Sequence, residues 1–150
     1  MGSEMCIRDR AQIMELLKKI QKEYNMGIVL ITHDLGVVAD VADDIVVMYA
    51  GKSMEIAPKD TIFNSPCHPY THGLIRSIPQ LDTKAERLYS IQGTVPDIRN
   101  FPPGCRFCTR CPFVLPVCKE KEPPFVKLNE KHFVRCHRAE EIAKGGLIDE

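Results

Sequence analysis

The sequence predicts an α/β protein that ends in a small, loop-rich cysteine module. An amphipathic helical repeat beginning at Ala11 is followed by the continuous β-branched run 27–32, and a second apolar run, 45–49, follows a short helical stretch. Five of the seven cysteines lie within residues 104–137, among several prolines. Cysteines at this density, among residues that interrupt helices and strands, indicate a module held together by a metal or by disulfides.

Composition excludes several classes of function. The chain is 44% hydrophobic and 27% charged, which is typical of globular domains, and its formal net charge is zero. We therefore expect no nucleic-acid partner, because such proteins carry a basic surface. The apolar runs are much shorter than the roughly 20 residues that span a bilayer, and no secretory segment is visible. In the cytosolic setting that this predicts, clustered cysteines bind metal more often than they form disulfides, which remain the alternative.

The N-terminal part predicts a helix, a strand and a second helix. Residues 1–10 show no periodicity, and we interpret them as an unrelated or disordered leader. From Ala11 the apolar residues recur at helical spacing, and Asn25 with Gly27 suits a left-handed cap. The run 27–32 predicts a strand buried on both faces of a parallel sheet. Asp34 is placed to cap a helix over about 35–41.

The middle of the chain predicts a hairpin followed by looser structure. Residues 45–49 and 53–56 read as strands joined by a tight turn at 50–52. Two short helices, a short strand at 88–91, a proline-rich linker at 93–103 and a frayed helix at 139–150 should follow. The resulting organisation is a leader at 1–10, the end of an α/β domain at 11–64, a connecting helix and linker at 65–103, and a cysteine-rich extension at 104–150.

His33 is the first candidate functional residue. It follows the predicted strand directly, and ligands of open α/β sheets bind beyond the carboxyl ends of strands. An imidazole there can hydrogen-bond a phosphate or a water molecule. The alternative is a histidine that only orders the turn between strand and helix.

The cysteine spacing allows two ligand sets. Cys105, Cys108 and Cys111 form C-x2-C-x2-C, a ferredoxin-like spacing, whereas C-x5-C-x6-C-x17-C joins Cys105, Cys111, Cys118 and Cys136. Thiolates bind both Zn²⁺ and iron–sulfur clusters, so spacing does not select the metal. Apart from His33, we expect the remaining cysteines and histidines not to be ligands. Cys6 and Cys67 should be incidental, His68 and His72 should serve in a turn and in packing, and His132 and His137 should lie beside a ligand or at the surface.

Several of these segments together resemble one protein family. Residues 28–35, 41–43 and 45–52 resemble the switch-histidine segment and last strands of ABC transporter ATPase subunits. Residues 68–71, 77–79, 104–107 and 110–112, with Cys118 and residues 136–137, resemble the C-terminal extension of subunits that energise oligopeptide, dipeptide or nickel uptake in bacteria. The resemblance covers about residues 11–145, and its specificity comes from the order and spacing of these short motifs.

The resemblance implies the end of a P-loop NTPase (ABC ATPase) domain with its extension. His33 would contact the γ-phosphate of ATP and the attacking water, with Mg²⁺ bound alongside the nucleotide. A [4Fe–4S] cluster, with Zn²⁺ as the alternative, would be held by Cys105, Cys111, Cys118 and Cys136. Cys108 would be a spare thiol close to the cluster.

The implied partners are a second ATPase subunit, two transmembrane permeases and, indirectly, an extracytoplasmic substrate-binding protein. The implied location is peripheral, at the cytoplasmic face of the bacterial inner membrane. The phosphate loop, the Leu-Ser-Gly-Gly-Gln signature and the strand ending in Asp-Glu have no match in this sequence. We therefore expect a C-terminal fragment with an unrelated leader, inactive as an ATPase alone. A stand-alone iron–sulfur or zinc module with a redox or structural role is the alternative.

Overall fold

The computed structural model describes residues 3–78 and 89–145, which divide into two units at Ala42 and Asp43. The first unit contains α1 (Ser3–Tyr24) and α2 (Leu35–Val41). Helix α1 begins eight residues before the predicted start, because no glycine or proline interrupts residues 3–24. It ends as predicted: Asn25 is left-handed, with φ 51°, and the Met26 N–H donates to the Gln21 carbonyl at 3.1 Å.

The predicted strand over residues 27–32 is wrong. This segment forms no ladder with any described strand, and Val29 and Ile31 are 91% and 94% exposed. A β-branched run becomes a strand only beside another strand, and the four described strands pair with one another elsewhere. The prediction for α2 is confirmed, since Asp34 Oδ1 accepts from the N–H groups of Gly36 and Val37.

The second unit is built on one four-stranded antiparallel sheet with the order β1-β2-β4-β3. The strands are β1 (Asp44–Tyr49), β2 (Lys52–Pro58), β3 (Phe125–Asn129) and β4 (His132–Arg135). The β1–β2 hairpin is confirmed. Its two-residue turn places Ala50 and Gly51 at positive φ, 48° and 77°, which matches the right-handed twist of the strands.

Strands β3 and β4 were not predicted, although in β3 Val126 and Leu128 alternate with polar residues at the period of a strand. Val126 and Leu128 are partly buried on β3, and Val134 is fully buried on β4. Strand β4 pairs with β2 through Glu55 opposite Val134. One sheet therefore spans parts of the chain that the sequence assigned to an ATPase tail and to a separate extension.

The described part of the second unit has four short helices and two apolar cores. The helices are α3 (Lys59–Asn64), α4 (Pro69–Arg76), α5 (Pro116–Glu120) and α6 (Ala139–Ala143). The rings of Tyr49, Tyr70 and Phe107 meet in one core, with centroids 4.7 to 5.3 Å apart. The predicted strand at 88–91 is irregular over residues 89–91, and Leu88 and residues 146–150 lie outside the described residues.

Candidate metal centre

Five cysteines line one cavity of the second unit, the cysteine cavity. Three of them lie in the tight loop after Gly104, one lies in α5, and one follows β4. They are Cys105, Cys108, Cys111, Cys118 and Cys136. Aromatic and proline side chains complete the wall, including Phe107, Phe113 and Pro123. All four predicted ligands therefore face the same space, together with the predicted spare thiol.

Backbone hydrogen bonds close the cysteine loop and hold it against α5. The Cys105 N–H donates to the Cys118 carbonyl at 2.8 Å, and the Cys108 N–H donates to the Cys105 carbonyl at 3.0 Å. A Cβ added to Gly104 would lie 2.3 Å from the Cys118 carbonyl oxygen, so only glycine fits at this position.

Burial shapes the chemistry of these thiols. It raises the pKa of Cys105 to about 11 and that of Cys111 to about 12. The neighbouring thiols that raise the pKa of Cys111 most are Cys136, Cys105 and Cys118. The six cysteines with described side chains are free thiols. The raised pKa values favour the protonated thiols. A bound cation would favour the thiolates instead, because metal ions displace protons from thiols.

The two arginines of the loop fasten it to the rest of the unit. Arg106 donates to the Ala50 carbonyl and stacks on Phe101, with its guanidinium carbon 4.0 Å from the ring centroid. Arg110 donates to the carbonyls of Ile91 and Gln92 at 2.7 and 2.9 Å. These contacts with backbone carbonyls give both arginines a structural role.

A backbone donor also reaches one of the sulfurs. The Arg138 N–H lies 3.4 Å from Cys136 Sγ and donates to it. Bonds of this type stabilise thiolate ligands and influence the potential of iron–sulfur clusters.

A polar cluster of the second unit is centred on the buried carboxylate of Glu55, in β2. Its Oε1 accepts from the Cys67 N–H at 2.7 Å and lies 2.8 Å from His132 Nε2. Its Oε2 accepts from the His68 N–H at 3.1 Å. Glu55 and His132 are 0% and 3% exposed, so of the two roles predicted for His132 the one at the surface is wrong. Neither its burial nor the role of Glu55 follows from residue spacing.

Cys67 belongs to the same cluster. Its thiol donates to the Ser65 carbonyl at 3.5 Å, and burial, together with the nearby Glu55 carboxylate, raises its pKa to about 11. The cluster ties β2, β4 and the segment before α4 together, since each contributes one residue to it.

His68 is the N-cap of α4, in agreement with its predicted role in a turn. Its Nδ1 accepts from the Tyr70 N–H at 3.0 Å, so the ring is neutral at that nitrogen. Complete burial lowers its pKa to about 4.

We expect His68 to make the stability of the metal-free chain depend on pH. Between pH 6.5 and about 4 the His68 imidazole binds a proton in the unfolded chain but stays neutral in the folded chain. The full contribution is therefore present above pH 6.5, and about 3 kcal/mol is lost as the pH falls through that window. Urea unfolding at several pH values measures it. His68→Asn keeps an N-cap acceptor but cannot titrate, so its curve should be flatter; parallel curves would contradict the assignment.

His33 lies in the first unit and its side chain is exposed. Its neighbours fix the backbone on both sides. The Asp34 N–H donates to Thr32 Oγ1 at 3.0 Å, and Asp34 Oδ1 caps α2. The turn therefore needs no hydrogen bond from the imidazole to hold its shape, and the ring is accessible to a ligand.

Among the described residues, no helix combines the length and the apolar character needed to cross a bilayer.

Comparison with known proteins shows what the chain resembles. Residues 54–118 match the family described as the oligopeptide/dipeptide transporter C-terminal region. A putative peptide import ATP-binding protein of Brucella ovis is 45% identical over 140 residues, covering 89% of this chain and 41% of that protein. The dipeptide transport ATP-binding protein DppD of Bacillus subtilis is 45% identical over 139 residues, covering 93% and 42%. The oligopeptide transport ATP-binding protein AppD of the same organism is 45% identical over 132 residues, covering 88% and 40%. The chain thus spans about two fifths of the length of these relatives.

Proposed function

Because this chain carries the C-terminal region of an oligopeptide/dipeptide transporter ATP-binding protein, we propose that it acts within the subunit that couples ATP binding and hydrolysis to peptide import. The observation that carries the proposal is 45% identity to peptide-import ATP-binding proteins over about nine tenths of the chain. These relatives are named for peptide, dipeptide or oligopeptide transport, so peptides are the proposed cargo and nickel is not.

His33 is the proposed contact with ATP. In the complete subunit the imidazole would touch the γ-phosphate and the attacking water, with Mg²⁺ held by residues outside this chain. Its exposed ring and the fixed backbone on either side support that role, since a sensor of the terminal phosphate has to be accessible and well positioned.

The proposed assembly follows from the family. A second ATPase subunit would pair with this one, two transmembrane permeases would form the path, and an extracytoplasmic binding protein would deliver the peptide. The subunit would sit peripherally at the cytoplasmic face of the inner membrane.

A chimera tests the coupling role. Residues 11–150 would replace the corresponding part of Bacillus subtilis DppD, and dipeptide uptake would be measured in cells lacking DppD. We expect the chimera to restore uptake and its His33→Ala variant to lose it, while His72→Ala serves as a matched histidine control. The 150-residue chain alone should not hydrolyse ATP. Full uptake with His33→Ala would contradict the assignment of the histidine.

We also propose that the cysteine cavity holds a [4Fe–4S] cluster through Cys105, Cys111, Cys118 and Cys136. Their convergence on one cavity, the effect of the other three thiols on the pKa of Cys111, and the N–H donor at Cys136 support a four-thiolate site. Four thiolates also suit Zn²⁺, which would make the site purely structural. Cys108 is the spare thiol of this set.

Metal analysis of anaerobically purified chain tests the cluster. About four irons and four sulfides per chain are expected for a cubane cluster. Cys111→Ser should lose most of the iron, whereas Cys108→Ser, the matched control, should keep it. A content of one zinc per chain without sulfide would contradict the cluster and indicate a structural zinc site. Equal loss in both variants would contradict the chosen ligand set.

A further inference from the structure

The cluster around Glu55 contains three buried side chains of the types that bind metals. The ligand atoms of Glu55, Cys67 and His132 all lie within 4.8 Å of one another. None of the three belongs to the ligand set proposed for the cysteine cavity. We propose that this Glu55–Cys67–His132 triad binds one divalent transition-metal cation, with Zn²⁺ the ion that its ligand chemistry fits best.

The ligand types select the class of cation. Zn²⁺ is bound in proteins by thiolate, imidazole and carboxylate, and three protein ligands leave one of its four positions for a solvent molecule. Mg²⁺ and Ca²⁺ take oxygen ligands, and the triad offers one carboxylate. Softer ions such as Cu(I) favour sulfur, and the triad offers one thiol.

Charge balance supports a divalent ion at this depth. The Glu55 carboxylate carries one negative charge, and a Cys67 thiolate would carry another, beside a neutral imidazole of His132. A single M²⁺ ion makes that buried set neutral, which a low-dielectric site requires. On binding, the thiol proton goes to solvent. His132 Nε2, 2.8 Å from Glu55 Oε1, has to be free of its proton to coordinate the ion; a proton held there is exchanged for one on Nδ1, a change of tautomer that leaves the imidazole neutral.

The backbone already orients the ligands. The N–H groups of Cys67 and His68 donate to the two oxygens of the Glu55 carboxylate, fixing its plane. His132 is the first residue of β4, and Glu55 lies in β2, which pairs with β4. Strand pairing therefore sets the distance between these two ligands, as supporting hydrogen bonds do at known metal sites.

The test uses the full 150-residue chain, whose cysteine cavity is first reconstituted with iron and sulfide. The chain is then titrated with Zn²⁺. Chelator competition would measure binding of added Zn²⁺, and iron would be counted in the same samples. We expect one zinc equivalent in the unsubstituted chain and in Cys108→Ala, which removes a buried thiol outside the triad. Cys67→Ala should bind that equivalent at least tenfold more weakly.

Co²⁺ in place of Zn²⁺ gives a second readout that does not depend on affinity. A thiolate-to-cobalt charge-transfer band should appear on addition of Co²⁺ and be absent from Cys67→Ala, with circular dichroism confirming that the variant is folded. Zinc should also raise the thermal midpoint of the unsubstituted chain and of Cys108→Ala, but not that of Cys67→Ala.

Three results would overturn the proposal: no zinc bound by the unsubstituted chain, undiminished binding by Cys67→Ala, or equal loss in Cys108→Ala, which would place the ion among the cavity cysteines. The iron and sulfide count shows independently whether the cluster assignment fails. A chain that takes up no iron yet loses one zinc equivalent specifically with Cys67→Ala would support the triad and contradict the cluster.

Discussion

Glu55→Gln should lower the free energy of unfolding by about 3 kcal/mol, as expected when one member of a buried charged network is removed. Both carboxylate oxygens accept from backbone N–H groups, of Cys67 and His68. The amide of glutamine offers one oxygen and one NH₂ group. Whichever way it is oriented, one buried backbone N–H faces another donor and is left without an acceptor.

The matched control for this change is Glu122→Gln. Glu122 also bridges β2 and β4, through Lys52 at 2.8 Å and Arg135 at 2.9 Å, but its side chain is 41% exposed. Exposed ion pairs contribute about 0–1 kcal/mol, so its loss should be small. Urea unfolding of metal-free chains at pH 7 measures both variants. Equal destabilisation by the two substitutions would show that burial of Glu55 is not what makes its network important.

Gly104→Ala should destabilise the second unit by about 2–4 kcal/mol, the range of severe overpacking. The added methyl would lie 2.3 Å from the Cys118 carbonyl oxygen and 2.9 Å from the carbonyl carbons of Cys118 and Lys119. These are backbone atoms, so no side chain can rotate out of the way. The cysteine loop has to move away from α5, which breaks the bond from the Cys105 N–H to the Cys118 carbonyl.

The control for this substitution is Gly27→Ala, where an added Cβ meets nothing within 4 Å. It makes the same chemical change in open space and should leave stability within about 0.5 kcal/mol. Urea unfolding compares the two, and iron content after reconstitution adds a structural readout, because the displaced loop carries three of the cavity cysteines. A Gly104→Ala chain as stable as Gly27→Ala would refute the proposed close approach.

Local signals predicted much of this fold. The helical repeat of α1, the Asp34 cap of α2 and the Gly51 turn each depend on residues within a few positions of one another. The run at 27–32 misled because a strand depends on neighbours, which its own residues do not specify. For the same reason β3 and β4 were not predicted: the alternation in β3 is short, β4 has four residues, and their place in the sheet depends on the pairing of β4 with β2, which is far away in sequence.

The two candidate sites show the same contrast. Cysteine spacing and family resemblance placed four thiols in one site, and the structure brings those four to one cavity. The Glu55 cluster joins residues 77 positions apart, one of them a glutamate in an ordinary hairpin. No local pattern distinguishes such a glutamate from a surface one, because its burial follows from the pairing of β2 with β4.

That pairing also has a consequence for the kinetics of folding. The β1–β2 and β3–β4 hairpins each close a short turn, and such hairpins form in about 1–10 μs. Joining them through β2 and β4 closes a loop of 77 residues between Glu55 and His132. The chain loses the entropy of closing this loop before the contacts between β2 and β4 can form and stabilise it. The hairpins should therefore be formed before the rate-limiting step, and the seam between them afterwards. Substitutions between β2 and β4 would then mainly accelerate unfolding and change the rate of folding little. The pairing of β2 with β4 therefore determines how long the folded sheet lasts more than how fast it forms.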